Sequence, residues 1–148
     1  MADSKAIVHY GGNDFFIGIS PSGHSLVMET NGERHSAATP VELLLVAVGG
    51  CMGADIVEIL RKKREQVTDY RVEVRGERRE DFPRSFKNIQ MHHIIKGRNV
   101  SEKSVKQALE LSDTKYCSVA ASLRPTAKIS STFEILDDPA EQAAESSG

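Results

Sequence analysis

The sequence predicts an α+β domain in which short strands precede one long apolar helix and longer strands follow it. Three observations support this class: alternating apolar residues in several segments, a helix-start signature at residues 39–42, and an ordinary globular composition with 39% apolar and 27% charged residues. The 148 residues suffice for one core. We predict a single domain over residues 1–136, followed by a disordered acidic tail at residues 137–148.

The segment before the helix predicts a meander of three strands at residues 6–10, 15–19 and 25–29. Each is rich in apolar side chains, and Gly-, Asn- and Pro-containing turns at residues 11–14 and 21–23 separate them. Residues 30–38 are polar and predict a loop.

The clearest helix start is at Thr39. Thr39 can act as the N-cap, Pro40 suits the first helical position, and Glu42 completes a capping box in which each side chain accepts a hydrogen bond from the other's backbone N–H. Basic residues at 61–64 suit the negative end of a helix dipole. We predict a helix that begins at Pro40 and runs to about Arg64.

The middle of this helix predicts a homodimer. Residues 43–54 carry no charge, so the segment should be buried on all sides, and one small domain hardly has enough layers to do so. Gly49 and Gly53 share one face, and each costs about 1 kcal/mol in a helix interior. We expect another helix to approach that face closely.

Three further strands and two helices are predicted after the long helix. Residues 67–75, 86–95 and 128–136 alternate in strand fashion. Ser101 can cap an amphipathic helix, and residues 115–123 predict a short helix that Pro125 ends.

The chemistry is expected at Cys51 and Cys117, which are the two cysteines of the chain. With Thr114 as N-cap, Cys117 would lie in the first helical turn, where the dipole lowers a thiol pKa. Asp55 follows Cys51 by one turn and opposes a thiolate, so a reactive Cys51 needs a cation from elsewhere. The candidates are Arg34, Arg78, Arg79, Arg84 and Lys115.

Several classes of function are not expected. A net charge of −2 and the absence of Trp argue against nucleic-acid binding. The N-terminus has no secretory h-region, and the uncharged run is shorter than the about 20 residues of a membrane span, so we predict a cytoplasmic protein. We predict no cofactor and no metal, because His92 and His93 should face opposite ways and neither cysteine has a partner at ligand spacing.

Two segments resemble the central-helix and second-cysteine motifs of the OsmC/Ohr family. The first is Thr-Pro-Val-Glu-Leu-Leu at 39–44 with Gly-Gly-Cys at 49–51, and the second is Lys-Tyr-Cys-Ser-Val-Ala at 115–120. Residues 77–84 are similar to the YhfA-like branch. The resemblance implies an intertwined homodimer, with an antiparallel sheet wrapped around the two long central helices. It also implies that Cys51 attacks an organic hydroperoxide, that Cys117 resolves the product, and that a dithiol reduces the disulfide.

Two departures from the family pattern keep a second function open. Peroxidase members carry Pro-Glu at the helix start, whereas Val41 follows Pro40 here and Glu42 comes one position later. Ser118 stands where Pro is common. Glu42 is therefore a candidate site residue, and the alternative function is a non-peroxidase relative that binds a small apolar ligand or senses redox state at the dimer interface.

Overall fold

The computed structural model describes residues 3–139, and within them the predicted α+β class is confirmed. The chain divides into two compact units, residues 1–44 and residues 45–148. The end of the predicted disordered tail, residues 140–148, lies outside the described residues. The predicted boundary at residue 136 stays a prediction.

The first unit contains a three-stranded antiparallel sheet in the order β1-β2-β3. Its strands are β1 (Ile7–Gly12), β2 (Phe15–Ile19) and β3 (Ser25–Glu29), and the bounds of β2 and β3 match the prediction. Asn13 and Asp14 have φ of 51° and 66°, as a tight hairpin connection requires.

The long helix α1 spans Pro40–Lys62 and begins with the predicted capping box. The backbone N–H of Thr39 donates to Glu42 Oε1 at 2.8 Å, and the backbone N–H of Glu42 donates to Thr39 Oγ1 at 3.2 Å. The helix ends two residues before the predicted position, because Arg64 adopts a left-handed conformation with φ of 62°.

The second unit contains a mixed sheet of β4 (Gln66–Arg78), β5 (Phe86–Arg98) and β6 (Lys128–Asp137). β4 and β5 are antiparallel, whereas β5 and β6 are parallel. The prediction of a wholly antiparallel sheet is therefore wrong for this unit. The helical segment between β5 and β6 provides the crossover that a parallel pair requires.

That crossover contains α2 (Glu102–Leu111), a π-helical turn (Ser112–Tyr116) and α3 (Ser118–Leu123). Ser101 caps α2 as predicted, since its hydroxyl accepts a hydrogen bond from the backbone N–H of Ser104. The short helix begins three residues later than predicted, because the chain stays helical through the wider π turn. Cys117, not Thr114, is the N-cap of α3.

The α1 helix buries only one face within the chain. Val48, Met52, Ile56 and Leu60 are fully buried, and the core around Ile56 and Leu60 includes side chains of β5 and α2. Val46, however, is 67% exposed. The single chain thus leaves part of residues 43–54 exposed, and the burial of that face by a second subunit stays a prediction.

The predicted close approach to Gly49 and Gly53 exists, but strand side chains make it instead of a second helix. A Cβ at Gly49 would lie 3.0 Å from Val74 Cγ2, and one at Gly53 would lie 2.8 Å from Tyr70 Cε1. The two glycines thus let β4 pack directly on the helix backbone.

By length and composition alone, the 23-residue α1 could also cross a membrane, although 33% of its most apolar window is buried in the chain.

Candidate thiol site

Three potential nucleophiles or ligands converge in the second unit. Cys51 lies on α1, Asp55 follows it by one helical turn, and Cys117 lies at the start of α3. The two sulfurs and a carboxylate oxygen of Asp55 lie within 4.8 Å of one another. Both cysteines are free thiols. The predicted pairing of Cys51 with Cys117 thus corresponds to one compact cluster.

The π turn fixes the position of Cys117. The backbone N–H of Cys117 donates to the carbonyl of Ser112 at 2.9 Å, which closes the turn. Arg124 pairs with the Asp113 carboxylate at 2.6 Å and with its carbonyl at 2.8 Å. Ser112 is itself fully buried, and its hydroxyl donates to Asp55 Oδ2 at 2.9 Å. The same turn therefore positions both Cys117 and the carboxylate.

The environment of Cys117 opposes the thiolate. The residue is 4% exposed, and its burial raises the pKa of its thiol to about 11. The interaction with Cys51 and the charge of Asp55 contribute to this rise, whereas the N–H of Ala120, 3.3 Å from the sulfur, lowers the pKa. The prediction that the helix start gives Cys117 a low pKa is therefore wrong, because burial outweighs one amide.

Three of the arginines that were candidates for the cation beside Cys51 instead form hydrogen bonds around the loop between β4 and β5. Arg79 donates to the carbonyls of Phe86 and Thr126, both at 2.8 Å. Arg78 Nε donates to the carbonyl of Arg84 at 2.7 Å, and Arg84 Nε donates to that of Arg79 at 3.3 Å. These bonds give the three guanidinium groups a structural role in holding the loop.

The other two predicted cations have different surroundings. Arg34, in the first unit, lies over the Phe15 ring at 4.7 Å, with Nε 4.0 Å from the buried Glu29. Lys115 Nζ lies 5.2 Å from the centre of the Tyr116 ring. A cation beside Cys51 stays a prediction.

Glu42 is exposed and engaged in the capping box. The hydrogen bonds from the backbone and the hydroxyl of Thr39 lower the pKa of this carboxyl. Its structural role is thus observed, and its role as a site residue stays a prediction.

A cleft of about 390 Å³ adjoins the cluster at Asp55. It is lined by Asp55, Glu58, Ile59, Lys62, Lys63, Leu111 and Tyr116. Its apolar wall and basic residues suit a small amphiphilic molecule.

A second cluster of polar side chains surrounds His93 of β5 in the interior of the second unit. His93 is fully buried, with Nδ1 2.6 Å from the Tyr70 hydroxyl and Nε2 3.3 Å from Ser131 Oγ. Burial raises the pKa of Tyr70 and lowers that of His93 to about 4. His92 points to the opposite, exposed face, as predicted, and contacts Thr132.

Sequence reasoning named both cysteines and placed Asp55 one helical turn from Cys51, but it missed Ser112. Asp55 was visible at the i+4 position from Cys51, a spacing that places two side chains on one helix face. Ser112 gave no such signal, because 57 residues separate it from Asp55.

Comparisons with known proteins agree with this architecture. The family model described as "OsmC-like protein" matches residues 32–132. Protein YhfA of Escherichia coli strain K12 is 42% identical over 122 residues, which cover 82% of this chain and 90% of YhfA. A hypothetical protein from Aquifex aeolicus has a TM-score of 0.83 at 30% identity, over 93% of this chain and 99% of that one. The organic hydroperoxide resistance protein OhrB of Bacillus subtilis shares the fold, with a TM-score of 0.62 at 14% identity over 90% and 98% of the two chains.

Proposed function

Since this chain belongs to the OsmC family, as its two cysteine motifs predicted, we propose that it reduces organic hydroperoxides through a Cys51–Cys117 thiol pair. The observation that supports this proposal best is the convergence of the two sulfurs within 4.8 Å. A disulfide needs an S–S separation of about 2.05 Å, so side-chain rotation and a small backbone adjustment bring the pair into bonding range.

The proposed reaction needs no cofactor. The Cys51 thiolate attacks the distal peroxide oxygen, the O–O bond breaks, and the alkoxide leaves and takes up a proton as the alcohol. Cys51 is then a sulfenic acid. The Cys117 sulfur attacks the Cys51 sulfur, which forms the disulfide and releases water. A dithiol reductant restores both thiols and is itself oxidised to a disulfide.

The assignment of the two roles follows from exposure. Cys51 is partly exposed and is therefore the more accessible of the two residues to a peroxide, whereas Cys117 is buried. The raised pKa of Cys117 also suits a thiol that reacts second, with a sulfenic acid already beside it. Glu42 is retained as a candidate site residue of this reaction.

Mass spectrometry of the reduced protein after one equivalent of cumene hydroperoxide tests the proposal. We expect a loss of two hydrogens and a Cys51–Cys117 linked peptide. The Cys117→Ser variant should instead accumulate a Cys51 sulfenic acid that dimedone traps, and Cys51→Ser should show neither product. If both thiols of the wild-type protein stay free, the proposal is wrong.

The cleft beside Asp55 favours a second candidate function, in which the protein binds a small apolar ligand without turnover. Its apolar side chains include Ile59 and Leu111, and Lys62 and Lys63 could pair with an anionic head group. Calorimetry with decanoate tests this function. Binding to the Cys51→Ser variant, together with an absence of peroxide consumption by the wild type, would favour it.

We further propose that the protein works as a homodimer in the cytoplasm. Val8 and Tyr10 of β1 are 58% and 65% exposed, and Val46 of α1 is 67% exposed. Exposed apolar residues on a three-stranded sheet and on a long helix are typical of surfaces that another chain covers.

Sedimentation velocity tests the dimer. We expect a dimer for the wild type and a shift toward monomer for Val46→Asp, whereas Lys103→Asp, on an exposed position of α2, should leave the dimer unchanged. A monomeric wild-type protein at micromolar concentration would contradict the proposal.

A further inference from the structure

We propose that Cys51, Asp55 and Cys117 form a binding site for a thiophilic divalent cation, of which Zn²⁺ is the best match. Two thiolates and one carboxylate are a ligand set that Zn²⁺ prefers, and a fourth position would stay open to water or an exogenous ligand. Sequence reasoning predicted no metal site, because it searched for ligands at short spacing along the chain and Cys117 lies far from Cys51.

The spacing of the ligand atoms suits a tetrahedral ion. Ligands about 2.3 Å from zinc at tetrahedral angles lie roughly 3.8 Å from one another. The three ligand atoms here lie within 4.8 Å of one another, so a contraction of about 1 Å or less brings each into range. Cys51 and Asp55 stand one turn apart on α1, and the N-cap of α3 supplies Cys117 from a second element.

Neighbouring groups already orient two of the three ligands. The buried hydroxyl of Ser112 donates to Asp55 Oδ2 at 2.9 Å, and the N–H of Ala120 donates to Cys117 Sγ at 3.3 Å. Hydrogen bonds of this kind fix metal ligands and support the charge of a bound thiolate. The π turn that carries Ser112 and precedes Cys117 is a feature found frequently at functional sites.

The charges of the cluster also favour a cation. With both thiols ionised, the three groups carry a charge of −3 within a small, partly buried volume. A divalent ion offsets most of that repulsion, and two protons leave as the S–H bonds are replaced by sulfur–metal bonds. The exchange needs no oxidant or reductant.

Occupancy of this site would exclude the disulfide, because both sulfurs would be bonded to the ion. A bound ion would thus hold the thiols reduced, and oxidation to the disulfide would release it. The site does not depend on the proposed peroxidase activity, since its ligands bind the ion with no peroxide present.

Titration of the reduced protein with Co²⁺ under anaerobic conditions tests the site. We expect one ion per chain, a near-ultraviolet thiolate-to-cobalt absorption, intense visible bands typical of tetrahedral geometry, and displacement of both by Zn²⁺. Cys51→Ser and Cys117→Ser should each lose at least half of the near-ultraviolet absorption. Asp55→Asn should weaken binding at least tenfold, whereas Glu110→Gln, at an exposed position of α2, should bind as the wild type does.

A second measurement on the wild-type protein does not depend on the folding of a variant. Saturating Zn²⁺ should slow the reaction of both thiols with iodoacetamide at least tenfold, and a chelator should restore the original rate. The absence of a thiolate-to-cobalt absorption, or unchanged alkylation with Zn²⁺, would overturn the proposal. Equal affinity in a folded Asp55→Asn variant would overturn the assignment of the carboxylate as a ligand.

Discussion

His93 is a neutral imidazole in the interior of the second unit, and we expect its protonation to destabilise the protein in mild acid. Its side chain is fully buried, between the Tyr70 hydroxyl at 2.6 Å and Ser131 Oγ at 3.3 Å. Burial lowers its pKa from the ordinary value of 6.5 to about 4, and the nearby His92 contributes a smaller effect in the same direction.

The direction of this pH effect on stability follows from proton binding by His93 in the folded and unfolded states. Because the folded pKa lies below the unfolded one, the unfolded chain binds the proton first as the pH falls. The contribution of His93 is therefore fully present above pH 6.5 and is lost as the pH falls toward 4. At 1.36 kcal/mol per pKa unit, the drop corresponds to at most about 3 kcal/mol, of which about 2 kcal/mol should be lost by pH 4.5.

Urea unfolding at pH 7 and pH 4.5 measures this loss, at one protein concentration because the stability of an oligomer depends on it. The free energy of unfolding of the wild type should fall by about 2 kcal/mol more than that of His93→Gln, which cannot titrate. His24→Gln, at an exposed position of the first unit, should behave as the wild type does. An equal acid loss in the wild type and His93→Gln would refute the reasoning.

Three further predictions concern the packing on α1, its N-terminal cap and the thiol site. Gly53→Ala should lower the free energy of unfolding by up to about 2 kcal/mol, because overpacking against Tyr70, 2.8 Å from the new Cβ, costs about 1–3 kcal/mol and the better helix propensity of Ala returns about 1 kcal/mol. The loss should shrink in a Tyr70→Ala background. Thr39→Ala should lower the free energy of unfolding by about 1 kcal/mol, because the N-cap side chain is lost. Glu42→Gln should lower it by less, because glutamine can also serve a capping box. Thermal unfolding of the two variants measures the difference. Peptide mass spectrometry should show metal-free Cys117 alkylated half-maximally near pH 11, and half-maximal labelling near pH 8 would contradict its buried environment.

Local signals in the sequence predicted most of the elements. The capping box at Thr39 and Glu42 involves residues three apart, so it could be recognised without tertiary information, and the structure contains both of its hydrogen bonds. β4 and β5 each extend three residues beyond the predicted C-terminal end, to Arg78 and Arg98. Charged residues at 77–78 continue β4, because pairing of Glu77 with Asn88 satisfies the backbone where the side chains are exposed.

The predictions that were wrong concern features that depend on contacts between distant parts of the chain. The parallel alignment of β6 with β5 requires the crossover, which no local pattern specifies. The environment of Cys117 was predicted from its place at a helix start, yet burial decides the pKa of its thiol. The buried Ser112 of the π turn donates to Asp55 of α1, a contact between residues 57 apart that no local pattern indicates.

Asp55 connects the two proposed uses of the thiol pair, because its carboxylate affects them in opposite directions. Its charge raises the pKa of Cys117 and so opposes a free thiolate, whereas the same charge helps to hold a cation between the two sulfurs. Replacing Asp55 with Asn should therefore favour ionisation of Cys117 in the metal-free protein and weaken cation binding in the same variant. Peroxide reduction as proposed assigns no step to this carboxylate, whereas the proposed cation site uses it as a ligand that Ser112 already orients, so the Asp55→Asn variant separates the two proposals.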